Sequence, residues 1–391
     1  MESDERIERR RRREQVRRRR GRLAAAALAA FAVGLVIGAG GGGDDPAPSS
    51  GTAPRPDDAS PAPARPAADR LTLEQQVGRM VILRFAGTEA PGYVRRVLRQ
   101  GRAAGVILFA DNVVSPGQLK TLTRTLRRAS PAFEPLICVD QEGGEIRILE
   151  WAAPERAAGE QAAAGTVRAD ALAAGRDLRA AGVGVTLAPV ADVPSVDGAA
   201  LASRAFARDP EQAAAAVAES IAGWHEAGVA TTVKHFPGLG GATVNTDDGP
   251  ATIKRSRAEL DADLEPFRAA IDAGTDFVMA GHATYPALDG LHIASQSPAV
   301  IDGLLRAELG FDGVVMTDSM EAAAALAAGD VDESALASAR AGVDLMLTTG
   351  RGSYIRVYRA LLAQARADAG FRRRVAASAA RVLAAQSSRD G

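Results

Sequence analysis

A lysine and a histidine stand side by side at positions 234 and 235, directly before a turn built on Pro237, Gly238, Gly240 and Gly241. The stretch TTVKHFPGLGG (Thr231–Gly241) therefore sets a cation and an imidazole where a buried strand over Ala230–Val233 gives way to a flexible loop. The arrangement recurs along the chain. Asp111, Asp140, Asp192, His282 and Asp318 each stand at or near the end of a short apolar run, and Arg204 lies in the loop after the fourth such run. A single Asp in this position also reads as the N-cap of a following helix. Polar groups at five or more run ends favour a shared site, in which carboxylates and cations pair with a ligand rich in hydroxyls. Asp318, in GFDGVVMTDSM (Gly310–Met320), suits a further role. Cleavage of a glycosidic bond needs a carboxylate beside the anomeric carbon and a proton donor for the leaving oxygen. The alternative for Asp318 is the cap of a helix starting near Ser319.

The elements that must position these groups are strands and helices in alternation. Eight nearly continuous apolar runs read as parallel strands covered on both faces: Met80–Phe85, Gly105–Phe109, Leu136–Val139, Val185–Pro189, Ala230–Val233, Phe277–Ala280, Gly313–Met316 and Val343–Leu347. Ala-rich helical stretches lie between them, among them Gln161–Ala181, Pro210–Ala227, Arg257–Ala273 and Ser334–Ala341. Many stop near a glycine: Gly182, Gly228, Gly274 and Gly342. Eight such units predict an α/β fold of the (β/α)8 TIM-barrel type over residues 71–388, with its chemistry at the C-terminal strand ends. An open doubly wound sheet would need a Gly-rich phosphate loop after the first strand, and Ala86–Tyr93 has none.

Before the barrel the composition changes three times. Residues 1–22 hold eleven Arg and five acidic residues, a local excess of six positive charges that leaves −7 on the rest of a chain whose net charge is −1. An acidic body argues against nucleic acid as its partner. Leu23–Gly40 carries no charge. Its length, near the lower limit for a spanning helix, and the Arg run before it predict an export signal or single-pass membrane anchor with the N-terminus in the cytoplasm. Residues 41–70 are rich in Pro and Ala and read as a disordered tether. The body is thus expected outside the cytoplasm, membrane-anchored or secreted. The one cysteine, Cys138, cannot form an internal disulfide. No cofactor motif or metal-ligand cluster is present in the sequence.

The motifs ICVDQEGG (Ile137–Gly144), APVADV (Ala188–Val193), SRAFARDP (Ser203–Pro210), TTVKHFPGLG (Thr231–Gly240), FVMAGHATYP (Phe277–Pro286) and GFDGVVMTD (Gly310–Asp318) occur in this order. Together they resemble glycoside hydrolase family 3, in particular the single-domain bacterial β-N-acetylglucosaminidases of cell-wall recycling, over about Leu71–Ala384. The resemblance implies that Asp318 is a nucleophile forming a glycosyl-enzyme intermediate. It implies that Asp140, Arg204, Lys234 and His235 bind sugar hydroxyls, that His282 lies near the site, and that configuration is retained.

Two departures from the family pattern bear on mechanism. The family's cell-wall enzymes carry an Asp-Ser-His element after KHFPG, whose His is the acid/base; here the aligned residues are Asn245, Thr246 and Asp247. The chain has four histidines, and none lies between Leu239 and Gly274. Leu239 also replaces a His common in the turn. Asp247 or Asp248 is then the candidate acid/base, provided burial raises its pKa; a loop-tip turn before Gly249-Pro250 is the other reading of this pair. The second departure is Ile148, at a position eight residues beyond Asp140 where the family has Arg, which implies an altered sugar clamp. The expected activity is hydrolysis of terminal β-linked N-acetylglucosamine in cell-wall glycan. A catalytically impaired glycan-binding protein and a β-glucosidase-like specificity are the alternatives.

Overall fold

Each of the eight apolar runs forms a parallel strand, and the strands close on themselves. They are β1 (Val81–Arg84), β2 (Gly105–Ile107), β3 (Leu136–Val139), β4 (Val185–Thr186), β5 (Ala230–Phe236), β6 (Phe277–Ala280), β7 (Val314–Ser319) and β8 (Leu345–Thr348). The structure is a computed structural model that describes residues 70–387. The tail 1–22, the apolar segment 23–40 and the linker up to residue 69 lie outside the described residues. Each strand pairs with its neighbours in sequence, and β1 pairs with β8, so the sheet has no free edge. Helices follow the strands and surround them, giving a (β/α)8 TIM barrel. Among the described residues no helix is long and apolar enough to cross a membrane.

The two-residue period of a strand sorts the core. Ile82, Ile107, Cys138, Met279, Met316 and Leu347 belong to one apolar cluster, which fills the barrel. Their neighbours Leu83, Val106, Ile137 and Val139 pack in a second cluster, and Val81, Val278, Val315 and Met346 in a third, between strands and helices. Cys138 is thus a small buried apolar side chain of the barrel interior.

The elements differ from the sequence reading in places that matter for the site. The stretch Gln161–Ala181 forms two helices, Ala158–Ala164 and Val167–Ala181, because Gly165 takes a left-handed conformation (φ 65°) and ends the first. Arg257–Ala273 likewise splits into Arg257–Asp263 and Glu265–Asp272, with Pro266 in the first turn of the second, where its missing N–H costs nothing. β5 runs on through Lys234 and His235 to Phe236, and β7 runs on to Ser319. No helix begins at Ser319: the next one is Ala323–Ala328, and Asp318 Oδ1 accepts from the adjacent Ser319 N–H, at 2.7 Å. Asp318 is therefore a strand residue and not an N-cap.

Candidate active site

Continuing the inward phase of five strands by two residues places a mostly polar layer on top of the apolar barrel interior. Arg84 follows Ile82, Phe109 follows Ile107, Asp140 follows Cys138, Asp318 follows Met316 and Thr349 follows Leu347. All five line one cavity of about 300 Å³. β5 and β7 each contribute two consecutive residues, Lys234 with His235 and Asp318 with Ser319. Strict alternation would send one of each pair outward. The β5 register against β6 slips between Lys234 and Phe236, and the β7 register against β8 slips between Met316 and Ser319. These irregularities re-aim the chain and let both members of each pair reach the cavity.

The floor of the cavity is a closed ionic network. Lys234 Nζ lies 2.6 Å from Asp140 Oδ1 and 2.6 Å from Glu142 Oε1. Arg204 grips Glu142 with both prongs, Nε to Oε2 at 2.8 Å and Nη2 to Oε1 at 2.7 Å. Burial alone would raise the Glu142 pKa, but Lys234 and Arg204 outweigh it and hold this carboxyl down at about 2. Burial likewise works against the charged form of Lys234, and Asp140 and Glu142 keep its pKa raised. Glu142 and Lys234 are therefore each held in the charged form by the partner beside them.

Beside this network His235 is held by Asp192. The ring Nδ1 lies 2.7 Å from Asp192 Oδ2, while Asp192 Oδ1 accepts from the backbone N–H of His235 at 3.2 Å and of Leu239 at 2.6 Å. Burial opposes ionisation of Asp192, yet His235 and these N–H groups keep its pKa low. An ionised Asp192 makes Nδ1 the donor and turns Nε2 toward Asp318, 3.9 Å away. The same bonds fix the turn that follows. Tyr285 Oη donates to the Gly238 carbonyl at 2.7 Å, and Gly240 packs so closely on the Val193 carbonyl that a Cβ there would lie 1.8 Å from its oxygen. Leu239 is buried in the apolar core, away from the cavity.

Two carboxylates on the mouth side titrate in opposite directions. For Asp318, burial raises the pKa, but the His235 and His282 rings, the Ser319 N–H and Lys234 bring it below the ordinary value. His282 lines no part of the cavity; its Nε2 donates to the Ser319 carbonyl at 3.0 Å and its Nδ1 meets Ser295 Oγ at 2.8 Å, so it fixes the end of β7. Asp247 is raised, first by partial burial and then by the negative charge of Asp318. It sits in a tight turn in which Asn245 Oδ1 accepts the Asp247 N–H at 3.1 Å and the Asn245 carbonyl accepts the Asp248 N–H at 2.9 Å. The carbonyls of Thr246 and Asp247 accept the N–H groups of Ala324 and Ala323, which ties this loop to the helix after β7. Asp247 thus lies in a turn, as the second reading has it, and also lines the cavity. Asp248 is exposed and does not line the cavity.

The structure brings Asp140, Arg204, Lys234, His235, Asp247 and Asp318 to one cavity. Asp111 is outside it, paired with Arg84 at 3.3 Å near the surface. Ile146 lines the cavity, while Arg147 and Ile148 do not. Two charged residues were not singled out in the sequence. Glu142 is two residues from Asp140 and completes the floor, and Arg84 is a charge on the inward phase of an otherwise apolar strand. Counting the strand phase from Ile82 would have found Arg84. Among the described residues no group of three or more His, Cys, Asp or Glu side chains is placed to hold a metal ion.

Comparison with known proteins agrees with this geometry. Residues 72–385 match the family model for the glycosyl hydrolase family 3 N terminal domain. A beta-hexosaminidase from Stenotrophomonas maltophilia (strain R551-3) is 37% identical over 279 residues, which cover 68% of this chain and 82% of the relative. Among solved structures, a family 3 beta-N-acetylglucosaminidase from Paenibacillus sp. str. FPU-7 superposes with a TM-score of 0.78 at 34% identity. That match covers 82% of this chain and 63% of the Paenibacillus chain, so the present chain spans less than two thirds of that neighbour. A Beta-N-acetylhexosaminidase from Beutenbergia cavernae DSM 12333 gives a TM-score of 0.74 at 33% identity, covering 81% of this chain and 99% of the other. The chain belongs to glycosyl hydrolase family 3 and is a β-hexosaminidase-like glycosyl hydrolase.

Proposed function

We propose that the protein is a retaining exo-glycosidase that removes terminal β-linked N-acetylglucosamine from cell-wall-type glycans, with Asp318 as nucleophile and Asp247 as acid/base. The observation that carries this reading is the opposite perturbation of two carboxylates on one cavity, Asp318 kept ionised and Asp247 pushed toward its protonated form. Asp140, Arg204, Lys234 and His235 bind the hydroxyls of the terminal sugar. Asp318 attacks the anomeric carbon as the bond to the leaving oxygen breaks, and the Asp247 carboxyl gives its proton to that oxygen. In the second step the Asp247 carboxylate takes a proton from a water molecule that attacks the same carbon, and the bond to Asp318 breaks. Support for the amino sugar comes from the similarity to a beta-hexosaminidase and a Beta-N-acetylhexosaminidase. The Arg-rich start followed by Leu23–Gly40 supports export and membrane attachment of the barrel.

A chromogenic aryl N-acetylglucosaminide tests the reading. Wild type should turn it over, and Asp318→Ala should lose about 10⁴-fold or more of kcat while remaining folded. Equal inactivity of both proteins on aryl and natural glycosides, with glycan binding intact, would replace the hydrolase by a glycan-binding protein.

A further inference from the structure

The loop that carries Asp247 is closed at its base by groups outside the cavity. Its near end leaves the turn at Gly241, and its far end enters the helix Arg257–Asp263 through Arg255 and Ser256. The two ends touch. A Cβ on Gly241 would lie 3.1 Å from Ile253 Cγ2 and 3.3 Å from Arg255 Cδ, so the glycine is there for close approach. Beyond this contact the Arg255 side chain reaches Asp263. Its Nε lies 3.0 Å from Asp263 Oδ2, and the two side chains are 18% and 3% exposed. The two atoms face each other as charges without an aligned hydrogen bond, and neither has another hydrogen-bond partner. Arg255 Nη2 also donates to the Glu259 carbonyl at 3.2 Å, which holds the guanidinium on the helix. Asp263 in turn packs against the KHFPG turn, where a Cβ on Gly238 would lie 3.4 Å from Asp263 Cβ.

This pair therefore joins three parts of the chain: the turn after β5, the far end of the loop and the helix that follows it. A carboxyl that donates and recovers a proton must stand within hydrogen-bond reach of the leaving oxygen, and a loop whose ends part carries its tip away from that place. We propose that Arg255 and Asp263 are positioning residues for the proton transfer, their ion pair clamping the base of the loop and so holding the Asp247 carboxyl at the leaving oxygen. Neither lines the cavity, so both act through Asp247 and not on the substrate. Removing either partner strands a buried charge, which opens the base to water. The inference rests on the reading of Asp247 as acid/base and adds what keeps it in place.

The test uses kcat/KM on a natural disaccharide and on an aryl glycoside whose phenol leaves without protonation. Arg255→Met and Asp263→Asn should each lose about tenfold to a hundredfold on the disaccharide, with the aryl glycoside largely spared. The double variant should lose no more than the worse single one, since one pair is broken once. Arg255→Lys, which keeps the charge, should recover part of the disaccharide activity. Gly241→Ala keeps both charges and wedges a methyl group between the loop ends, so it should show the same selective loss even where Arg255→Met fails to fold. Equal losses on the two substrates, losses that multiply in the double variant, or wild-type rates in Gly241→Ala would overturn the proposal. Asp247→Ala distinguishes the two readings. If it loses equally on both substrates, the acid/base assignment falls; if its loss is selective while the clamp variants show none, the clamp alone falls.

Discussion

Lys234 and Asp247 face the same cavity from opposite ends of one connection, and they are held in different ways. Lys234 is buried in the floor, with two carboxylates at 2.6 Å and a strand on either side of its own. Asp247 is on an exposed turn whose fixed points are backbone hydrogen bonds to Asn245 and to the helix after β7. The floor has one arrangement because any change strands a buried charge. The loop has a position, but the state of its carboxyl is set by partial burial and by the Asp318 charge across the cavity. The difference separates two tasks. Gripping the sugar demands fixed geometry, whereas donating and recovering a proton demands a pKa that the surroundings can tune.

The comparison is broken most severely at the floor. Lys234→Ala leaves Asp140 and Glu142 without their shared cation and should lower unfolding free energy by about 3–5 kcal/mol, read from chemical denaturation. A loss below about 1 kcal/mol would show that the floor is not the fixed half of the site. Next is the junction between the halves. Gly240→Ala pushes a methyl group into the Val193 backbone, and a cost of about 1–3 kcal/mol with a displaced loop is expected from denaturation and proteolysis of residues 239–256. Wild-type stability there would mean that the turn is free to move.

The smallest effect is electrostatic and sharpens the loop side. The Asp318 pKa is lowered and the Asp247 pKa raised from the ordinary Asp value, so activity should fall at low pH as Asp318 takes up a proton and at high pH as Asp247 loses one. Asp318→Asn removes the charge that raises Asp247, and a carboxyl ¹³C titration should show the Asp247 pKa move down while part of the elevation, due to burial, remains. An unmoved Asp247 would mean that the two groups are not coupled.

The fold was legible because buried parallel strands are nearly pure apolar runs, as in Leu136–Val139 and Phe277–Ala280, and because Gly182 and Gly342 mark helix ends by taking left-handed conformations. The site was legible at Asp140, Lys234, His235 and Asp318, where polar residues end those runs. The two register slips were not, since no residue type announces them; one accompanies the pair Lys234 and His235 and the other the pair Asp318 and Ser319. Arg84 was hidden by its apolar neighbours in β1, and Glu142 by the attention that Asp140 draws. The tight approach of Gly240 to Val193 depends on a residue far away in sequence, so only the folded chain displays it.

The central claim is that Asp247 supplies the proton that the family's missing histidine would have supplied. Its most direct test is the leaving-group dependence of Asp247→Ala, measured as kcat/KM on a natural disaccharide and on an aryl glycoside whose phenol leaves without protonation. The account predicts a loss of about 10²–10⁴-fold on the disaccharide with the activated aryl substrate largely spared. Equal losses on the two substrates, or none on either, would contradict it.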